Sequence, residues 1–155
     1  MRHKTLVVGS GRLGANIAKH FSLKGISVDI IDISEDAFIK VGDEFSGNTI
    51  RADATDMMLL NQLDIKNVER MVIVTGDDNI NIYVAHLAQY IYDIPKIYIR
   101  LYDTDKGKLV DQDRIKVIYP FILSLDEFLD LEGDQVWESL FVVANLRPII
   151  LSVSF

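Results

Sequence analysis

An apolar run near the N-terminus ends in three closely spaced glycines and leads into residues with helical spacing. The run covers residues 6–8, and Gly9, Gly11 and Gly14 fit the pattern G-x-G-x-x-G. In such a unit the first glycine permits a tight turn, the second lets a diphosphate approach the backbone, and the third lets the helix lie close to the strand. Backbone amides at the start of the helix then point at the phosphates. The spacing predicts a strand–turn–helix unit that binds phosphate.

A single acid follows at the distance that such a unit requires. Asp32 comes eighteen residues after Gly14, near the end of a second apolar run, residues 28–33. A carboxylate there accepts hydrogen bonds from ribose hydroxyls and repels a 2′-phosphate, which favours NAD over NADP. The alternative is an ordinary strand-to-helix turn with a capping Asp. Arg12, inside the loop, either pairs with phosphate oxygens as a bidentate donor or is a solvated arginine on the first helical turn.

The rest of the chain alternates short β-branched runs with amphipathic stretches. Strands are expected at residues 6–8, 28–33, 49–50, 71–74, 97–99 and 115–118. One helix is expected directly after the glycine loop, and a second is expected to begin after a capping residue, Ser34. Further helices are expected at residues 56–63, 80–91, 103–113 and 121–131. This alternation predicts an α/β fold, a Rossmann-like, doubly wound, mainly parallel six-stranded sheet with helices on both faces. We expect residues 1–135 to form this nucleotide-binding domain.

We expect residues 136–155 to form an apolar C-terminal extension, with no second full domain. Two apolar runs, residues 140–144 and 149–151, are separated by polar residues and a proline. Either they pack on the same domain, or they pack on a partner chain or begin a domain that lies beyond this sequence.

Charge and composition exclude several kinds of partner. The formal net charge of -7 makes nucleic acid and anionic membrane surfaces poor partners, and no apolar run is long enough for direct membrane insertion. The absence of cysteine excludes thiolate metal sites and cysteine nucleophiles, and is compatible with a reducing cytosol. The three histidines lack metal-ligand spacing, so no metal site is expected.

Several segments together resemble the nucleotide-binding regulator domains of potassium channels and transporters, known as TrkA-N, KTN or RCK domains. The glycine loop with its Arg12 is similar to the family's arginine-containing loop, and Asp32 stands at the usual place. The other matching segments are residues 52–55, with Ala52 in place of the usual glycine, residues 75–81, Arg100 at the end of the fifth strand, and residues 117–120. The likeness covers residues 4–130.

The resemblance and the strand ends together give the expected nucleotide-binding residues. Asp53 and Ala54 would meet the adenine edge, Thr75 and Gly76 the ribose and phosphate side, and Arg100 a terminal phosphate or a regulatory ligand. Other roles stay open: Asp53 near a helix cap, Asp77 or Asp78 as a cap, and Arg100 in an ion pair. The full expected set is Gly9, Ser10, Gly11, Arg12, Leu13, Gly14, Asp32, Ile33, Asp53, Ala54, Thr75, Gly76, Asp77 and Arg100.

The resemblance implies a cytosolic regulatory subunit that binds NAD or NADH, with ATP, ADP or AMP possible at the same site. It also implies a homodimer or larger ring that acts at the inner face of the cell membrane on a membrane-embedded potassium transporter subunit. A hinge near Tyr119 and Pro120 would move the following apolar helix against a partner; the alternative for that helix is core packing. The alternative function is a small NAD-dependent oxidoreductase or an oxidoreductase subunit.

No catalytic residue is expected, because the chain has little room for the acid or base that hydride transfer needs. The chain contains two matches to Tyr-x-x-x-Lys, a motif typical of short-chain dehydrogenases, starting at Tyr92 and Tyr102. Pro95 interrupts the first match, and the second lies at the wrong place in the fold. A methyltransferase is disfavoured as well, since Val8 occupies the residue before the first glycine, where an acid is usual.

Overall fold

The computed structural model describes residues 1–133. Its strands are β1 (Lys4–Val8), β2 (Val28–Asp32), β3 (Asn48–Arg51), β4 (Val68–Ile73), β5 (Lys96–Arg100) and β6 (Ile115–Ile118). Its α-helices are α1 (Arg12–Leu23), α2 (Met57–Gln62), α3 (Asp78–His86), which continues as a π-helix over Leu87–Ile91, and α4 (Pro120–Glu132). Short 3-10 helices lie at Glu35–Lys40, Ile65–Asn67 and Thr104–Leu109. No helix in this part of the chain is long and apolar enough to span a bilayer.

The six strands form one sheet in the order β3-β2-β1-β4-β5-β6, and every pair is parallel. The predicted Rossmann-like fold is therefore confirmed. Strand β1 has β2 on one side and β4 on the other, so the strand order reverses direction there. Open α/β sheets bind ligands outside the carboxyl ends of the strands at such a point. The fold thus places the glycine loop, which follows β1, at the expected ligand crevice.

Two apolar clusters lie on opposite faces of the sheet and define its two layers. In the first, which we call the α1 layer, Ala15 and Ala18 of α1 pack on Val7 and Val72 of the sheet. In the second, the α3 layer, Leu60 of α2 and residues of α3 pack on the alternate strand positions. The central strand β1 is buried over its last four residues. Burial on both faces explains why its sequence is apolar without alternation.

Two predicted helices are shorter and tighter in the structure. The stretch after Ser34 is a 3-10 helix, and the Ser34 hydroxyl does not cap it. The stretch predicted at residues 103–113 is a 3-10 helix over Thr104–Leu109, and Val110 is already extended. A Cβ at Gly107 would collide with the Tyr119 hydroxyl, so this segment packs tightly on the start of α4. Tertiary packing, rather than the local spacing of apolar residues, determines the length and helix type of these two segments.

Helix α4 begins at Pro120, close to the prediction, but it buries none of its residues. The core-packing alternative holds only in part among the described residues, since Ile122 packs against the α3 layer while Phe121 and Phe128 are more than half exposed. Pro120 occupies the first helical turn, where its missing amide costs no hydrogen bond. Gly133, with φ of 79°, ends the helix in the left-handed conformation. The predicted apolar runs at residues 140–144 and 149–151 lie outside the described residues.

Candidate functional site

The glycine loop is held against the end of β4 by two close backbone contacts. Gly9 has φ of +103°, and a Cβ there would lie 2.9 Å from the Val74 carbonyl oxygen and from the Thr75 amide nitrogen. A Cβ at Gly14 would collide with the Gly9 carbonyl oxygen. Both positions therefore require glycine for reasons within the chain. Together they bring the start of α1 directly beside the ends of β1 and β4.

Gly11 is different, because nothing within the described chain requires it. Its φ is -72°, which any residue adopts, and a Cβ at this position would meet no atom within 4 Å. The helix that follows has no capping side chain and no acidic residue in its first turn. Among the described residues, no capping side chain therefore accepts a hydrogen bond from the amides of its first turn. This geometry fits a phosphate group resting on the loop.

The next two residues of the loop have different environments. Arg12, the first residue of α1, is exposed beside the loop, and Leu13 packs its side chain in the α1 layer.

Asp32 is tied to the glycine loop through its carboxylate. One oxygen accepts a hydrogen bond from the Ser10 amide and the other from the Ser34 amide, each at 2.8 Å. The Ser10 hydroxyl is fully buried and donates to the Ala37 carbonyl, which fastens the loop to the 3-10 helix after β2. A carboxylate accepts about four hydrogen bonds, so two of its positions remain for another donor. Ile33, next in the chain, is 67% exposed and offers an apolar surface beside this carboxylate.

The segment after β3 lies beside Asp32, because the Ala52 amide donates to the Asp32 carbonyl at 2.9 Å. Asp53 is exposed, and its carboxylate accepts from both the amide and the hydroxyl of Thr55. These two hydrogen bonds lower the pKa of Asp53 below its ordinary value of 3.8. Asp56 caps α2, and Asp53 shapes the turn before it. Ala54 is buried in the α3 layer, so it can offer only backbone atoms to a ligand.

The loop after β4 contributes a second set of predicted residues. The Thr75 hydroxyl bonds to the side chain of Asn81, and Asp77 caps α3 through the amides of Asn79 and Ile80. A Cβ at Gly76 would meet nothing within 4 Å. Thr75 and Gly76 therefore line the crevice next to Gly9, while the Asp77 carboxylate serves the helix.

Arg100 belongs to the same sheet edge but points at the backbone of the neighbouring strand. Its guanidinium donates to the carbonyls of Val74 and Thr75 and lies 4.9 Å from the centre of the Tyr102 ring. The side chain has no carboxylate partner within residues 1–133. The surface ion pair is thus not seen in this part of the chain, and an ion pair across an interface stays an expectation. Arg100 bridges the ends of β4 and β5 and retains free donors.

Two buried polar residues that hold this edge together are absent from the predicted set. Asn81 is fully buried; its carbonyl accepts from the Thr75 amide, and its amide donates to the carbonyls of Thr75 and Arg100. Asp78 is 9% exposed and accepts from the amides of Tyr102 and Asp103 at 2.9 Å. The sequence carries one signal for both, since two polar residues interrupt the first turn of an otherwise apolar helix face.

The site edge therefore divides into two joined halves. The glycine loop, Asp32 and the Asp53 turn form one half, and the Thr75 loop with Arg100 forms the other. They meet at the contact between Gly9 and the Val74–Thr75 backbone. Among residues 1–133, no group of three or more histidine or carboxylate side chains is placed to hold a metal ion.

Comparison with known proteins gives matches along most of the chain. The family model of the TrkA-N domain matches residues 5–120. A Trk system potassium uptake protein TrkA homolog from Pyrococcus abyssi is 31% identical over 81% of this chain and 52% of its own length. A homolog of the same name from Pyrococcus horikoshii is 28% identical over 87% of this chain and 58% of its own length. The chain thus spans little more than half the length of these curated relatives.

Solved structures share the fold at low sequence identity. The NAD(P)-binding domain of an exopolyphosphatase-related protein from Archaeoglobus fulgidus superposes with a TM-score of 0.70, at 21% identity, over 85% of this chain and 98% of that domain. The GsuK channel bound to NAD gives 0.68 at 13% identity, over 83% of this chain and 23% of that one. The AMP-bound C-terminal domain of Kef from Shewanella denitrificans gives 0.63 at 19% identity, over 92% and 89% of the two chains. At these identities the likeness concerns the fold alone. The family model decides the family: this chain belongs to the TrkA-N domain family.

Proposed function

We propose that this chain is a cytoplasmic nucleotide-binding regulatory subunit of a potassium uptake system, with its nucleotide at the carboxyl end of β1. Gly11 carries the proposal, because no contact within the described chain accounts for a glycine there and a phosphate does. The curated relatives named as Trk potassium uptake proteins support the biological context. NAD or NADH is the first candidate ligand, and ATP, ADP or AMP are candidates for the same crevice. The NAD-bound and AMP-bound structures of similar fold support this choice.

The residues around the crevice have separate roles in this proposal. Amides of Arg12, Leu13 and Gly14 hold the diphosphate, and the Arg12 guanidinium adds a charged donor at the loop's surface. The two free acceptor positions of Asp32 hold ribose hydroxyls, with adenine lying on Ile33 and near the Asp53 turn. Thr75, Gly76 and the backbone around Asp77 face the second half of a dinucleotide. Arg100 meets a terminal phosphate or a regulatory anion.

We infer that the subunit senses its ligand and does not transform it. The other candidate, a small NAD-dependent oxidoreductase, needs an acid or base beside the nicotinamide. Near the crevice, the described carboxylates of Asp77 and Asp78 are occupied by backbone amides of α3 and of the segment after β5. His86 bonds to the Leu109 carbonyl and so lies on the side of α3 that faces the Thr104–Leu109 segment. This arrangement favours binding without chemistry.

The proposed assembly is a homodimer or larger ring that contacts a membrane-embedded potassium transporter subunit from the cytoplasmic side. Helix α4 supports self-association, because its apolar side chains Phe121, Phe128 and Leu131 are more than half exposed. Tyr119 and Pro120 remain the candidate hinge. We propose that the nucleotide-binding domain covers residues 1–135 and that residues 136–155 add an extension to it.

Thermal unfolding of the purified chain with NAD, NADH, ATP, ADP and AMP tests the proposal. A nucleotide at a hundred times its dissociation constant should raise the free energy of unfolding by about 2.7 kcal/mol. Stabilisation without turnover of hydroxy acids or aldehydes supports a sensor. Reduction of NAD by such a substrate would favour the oxidoreductase, and no stabilisation by any of these nucleotides would refute the proposed function.

A variant of Asp32 separates its ligand role from its role in the loop. The Asp32→Ala change removes the two hydrogen bonds that hold the loop. This loss alone should weaken the binding of all nucleotides to a similar extent. The proposed ribose contact adds a second effect: the variant should lose about 1–3 kcal/mol of NADH binding and lose much less NADPH binding. Calorimetric titration of both ligands measures this loss of discrimination. An equal loss for both would show that Asp32 acts on the loop alone.

A further inference from the structure

A groove lies on the α1 layer of the sheet, away from the nucleotide crevice. Among the described residues, α1 contacts β1 and β2, and the 3-10 helix Glu35–Lys40 contacts β2. Beside α1, over β4 and β5, is a cavity of about 540 Å³, which we call the α1–β5 groove. It is lined mainly by Ile17, His20, Phe21, Arg70, Val72 and Tyr98. Pockets that bind small molecules have volumes of about 300–1,000 Å³, so this groove has the size of a ligand site.

The α1–β5 groove has an apolar wall and an apolar floor. Val72, in the floor, is 3% exposed and belongs to the apolar cluster of the α1 layer. Ile17, Phe21 and Tyr98 pack against the same cluster but are only partly buried. Part of each of these three side chains therefore stays in contact with water. An apolar ligand that covers them gains the free energy of removing this surface from water.

The charged side chains at the groove favour an anion. The Arg70 guanidinium lies 4.6 Å from the centre of the Phe21 ring and donates to the Thr5 hydroxyl at 3.1 Å. Its other N–H groups make no hydrogen bond or ion pair within residues 1–133. Among these residues no carboxylate lines the groove, and Glu69, next to Arg70 in β4, pairs with Lys96 at 3.1 Å. On a chain of net charge -7, this site is a local exception.

A further cation extends the positive side of the groove. Lys116 of β6 stands opposite Tyr98 of β5, on the same face of the sheet, and it is exposed. The groove therefore combines an apolar interior with a guanidinium inside it and an ammonium next to it. A ligand that matches this arrangement has an apolar body and one anionic group. The planar guanidinium fits a carboxylate, which it binds with parallel N–H groups.

The extent of the groove indicates a small molecule rather than a protein partner. A stable protein–protein interface takes about 20–30 residues from each partner. Seven residues line this groove. Ligand sites are lined mainly by apolar and aromatic side chains, with a few polar groups that fix the orientation of the ligand. Phe21, Val72 and Tyr98 are of the first kind, and Arg70 is of the second.

We propose that the α1–β5 groove binds a small amphipathic monocarboxylate of the fatty-acid type. Arg70 holds the carboxylate through the N–H groups that Thr5 does not use, and the apolar chain lies on Phe21, Val72 and Tyr98. The nucleotide crevice lies at the carboxyl ends of the strands, whereas Arg70 lies in the first half of β4. The two sites are therefore separate, and this inference does not depend on the proposed function.

Calorimetric titration of the full-length chain with decanoate, below the concentration at which it forms micelles, tests the proposal. Decylammonium has the same chain with the opposite charge, and acetate has the carboxylate without the chain. We expect one decanoate per chain, bound at least about tenfold more tightly than either comparison ligand. Equal affinity for decylammonium would overturn the proposal. A full-length chain that binds no decanoate would also overturn it, since the groove is then filled by another part of the chain or left empty.

Variants of two lining residues locate the binding site. Arg70→Met removes the guanidinium and keeps an unbranched chain beside Phe21, whereas Arg70→Lys keeps the positive charge. His20→Glu adds a carboxylate at an exposed position of the groove, where it does not disturb the core. Arg70→Met and His20→Glu should each weaken decanoate binding by at least about tenfold, and Arg70→Lys should weaken it less.

The matched control adds the same charge on the other side of the sheet. Gln62 is exposed at the end of α2, which packs in the α3 layer, so Gln62→Glu should leave decanoate binding unchanged. Circular dichroism and melting verify that each variant folds. Because His20 is exposed, its variant keeps the test valid if Arg70→Met unfolds. Decanoate binding that survives unchanged in a folded His20→Glu chain would refute the assignment to this groove.

Nucleotide titration and sedimentation of the same samples separate this site from the proposed function. Variants that lose decanoate and keep both their nucleotide affinity and their oligomeric state support a separate ligand site. If Arg70→Met and His20→Glu instead dissociate a wild-type oligomer, the groove is an interface between copies and the proposal is wrong. A chain that binds decanoate in this groove but no adenine nucleotide would contradict the proposed function and leave the carboxylate site standing.

Discussion

At the scale of single residues, the glycines of the loop after β1 serve different purposes that the motif alone does not separate. Gly9 and Gly14 are fixed by contacts with the chain itself, since a side chain at either would meet backbone atoms. Gly11 has an ordinary φ and free space on its Cβ side. No contact within the described chain therefore requires glycine at position 11, which supports the proposed ligand beside it. This difference gives two substitutions with opposite outcomes.

We expect Gly11→Ala to leave the free energy of unfolding unchanged or raise it by up to about 1 kcal/mol, because alanine restricts the unfolded chain and fits the native φ. Nucleotide affinity should fall by at least about tenfold, since the methyl group occupies the space for the phosphate. Urea denaturation and calorimetric titration measure the two quantities. Gly14→Ala is the comparison: it should cost about 1–3 kcal/mol or more of stability. Unchanged nucleotide affinity in Gly11→Ala would place the ligand elsewhere.

Residue-level prediction from sequence was accurate for position where spacing along the chain fixes the strand end at which a residue lies. The three glycines and Asp32 are near the carboxyl ends of β1 and β2 because the strand–turn–helix unit fixes their separation. The Asp77 side chain caps α3, which is one of the two roles that the sequence left open, and the Ala54 side chain lies in the core, which spacing does not predict. Spacing places these two at the right edge of the sheet, but it does not decide which way a side chain points.

At the scale of elements, the ends of β4 and β5 are held together by two side chains, and we call this contact the joint between the two strands. Asn81 is on α3, yet its side-chain amide bonds to the backbone at the ends of both strands. Arg100 closes the same joint from β5 through the carbonyls of Val74 and Thr75. Helix α3 thereby sets the position of the loop that faces the crevice.

Asn81→Ala leaves several buried backbone groups without partners, so we expect it to lower the free energy of unfolding by about 1–3 kcal/mol. Asn79→Ala on the same helix is the control; its side chain is exposed and accepts one bond from Lys106, so it should change stability by less than about 0.5 kcal/mol. Denaturant unfolding measures both, and hydrogen exchange at residues 74–77 reports the local effect. Equal stability of the two variants would show that the joint is not needed.

Element-level prediction succeeded for all six strands, because β-branched runs between turn signals identify buried parallel strands. It erred at the segments over Glu35–Lys40 and Thr104–Leu109, which are 3-10 helices. Both have a spacing that suits an α-helix, and both are shortened by contacts from distant parts of the chain: the buried Ser10 hydroxyl on Ala37 and the Tyr119 ring beside Gly107. Contacts of this range have no local signature.

At the scale of the whole molecule, the proposed nucleotide binding and the proposed self-association are two equilibria of one chain. The crevice lies where Gly9 meets the end of β4, and α4, the candidate for self-association, follows β6 at the edge of the same sheet. A regulatory subunit must couple its ligand to its assembly, since a ligand shifts a conformational equilibrium only by its differential affinity for the two states. Thermodynamic linkage then requires the coupling to be reciprocal.

This requirement gives a quantitative prediction. If dimer formation changes the nucleotide dissociation constant of each of the two equivalent sites by some factor, typically about 5–150-fold for coupled sites, saturation with nucleotide must change the dimer dissociation constant by the square of that factor. The change in the dimer dissociation constant, the first factor, comes from sedimentation of the wild type with and without nucleotide. The change in the nucleotide dissociation constant, the second factor, comes from nucleotide titration of the dimeric wild type and of Phe128→Asp, whose change lies on α4 and away from the crevice. A first factor that equals the square of the second, with both well above one, indicates a sensor, because ligand and assembly then act on the same conformational change. Two factors of one would mean that the chain binds nucleotide and dimerises without communication, and regulation by the nucleotide would be refuted even with both sites intact.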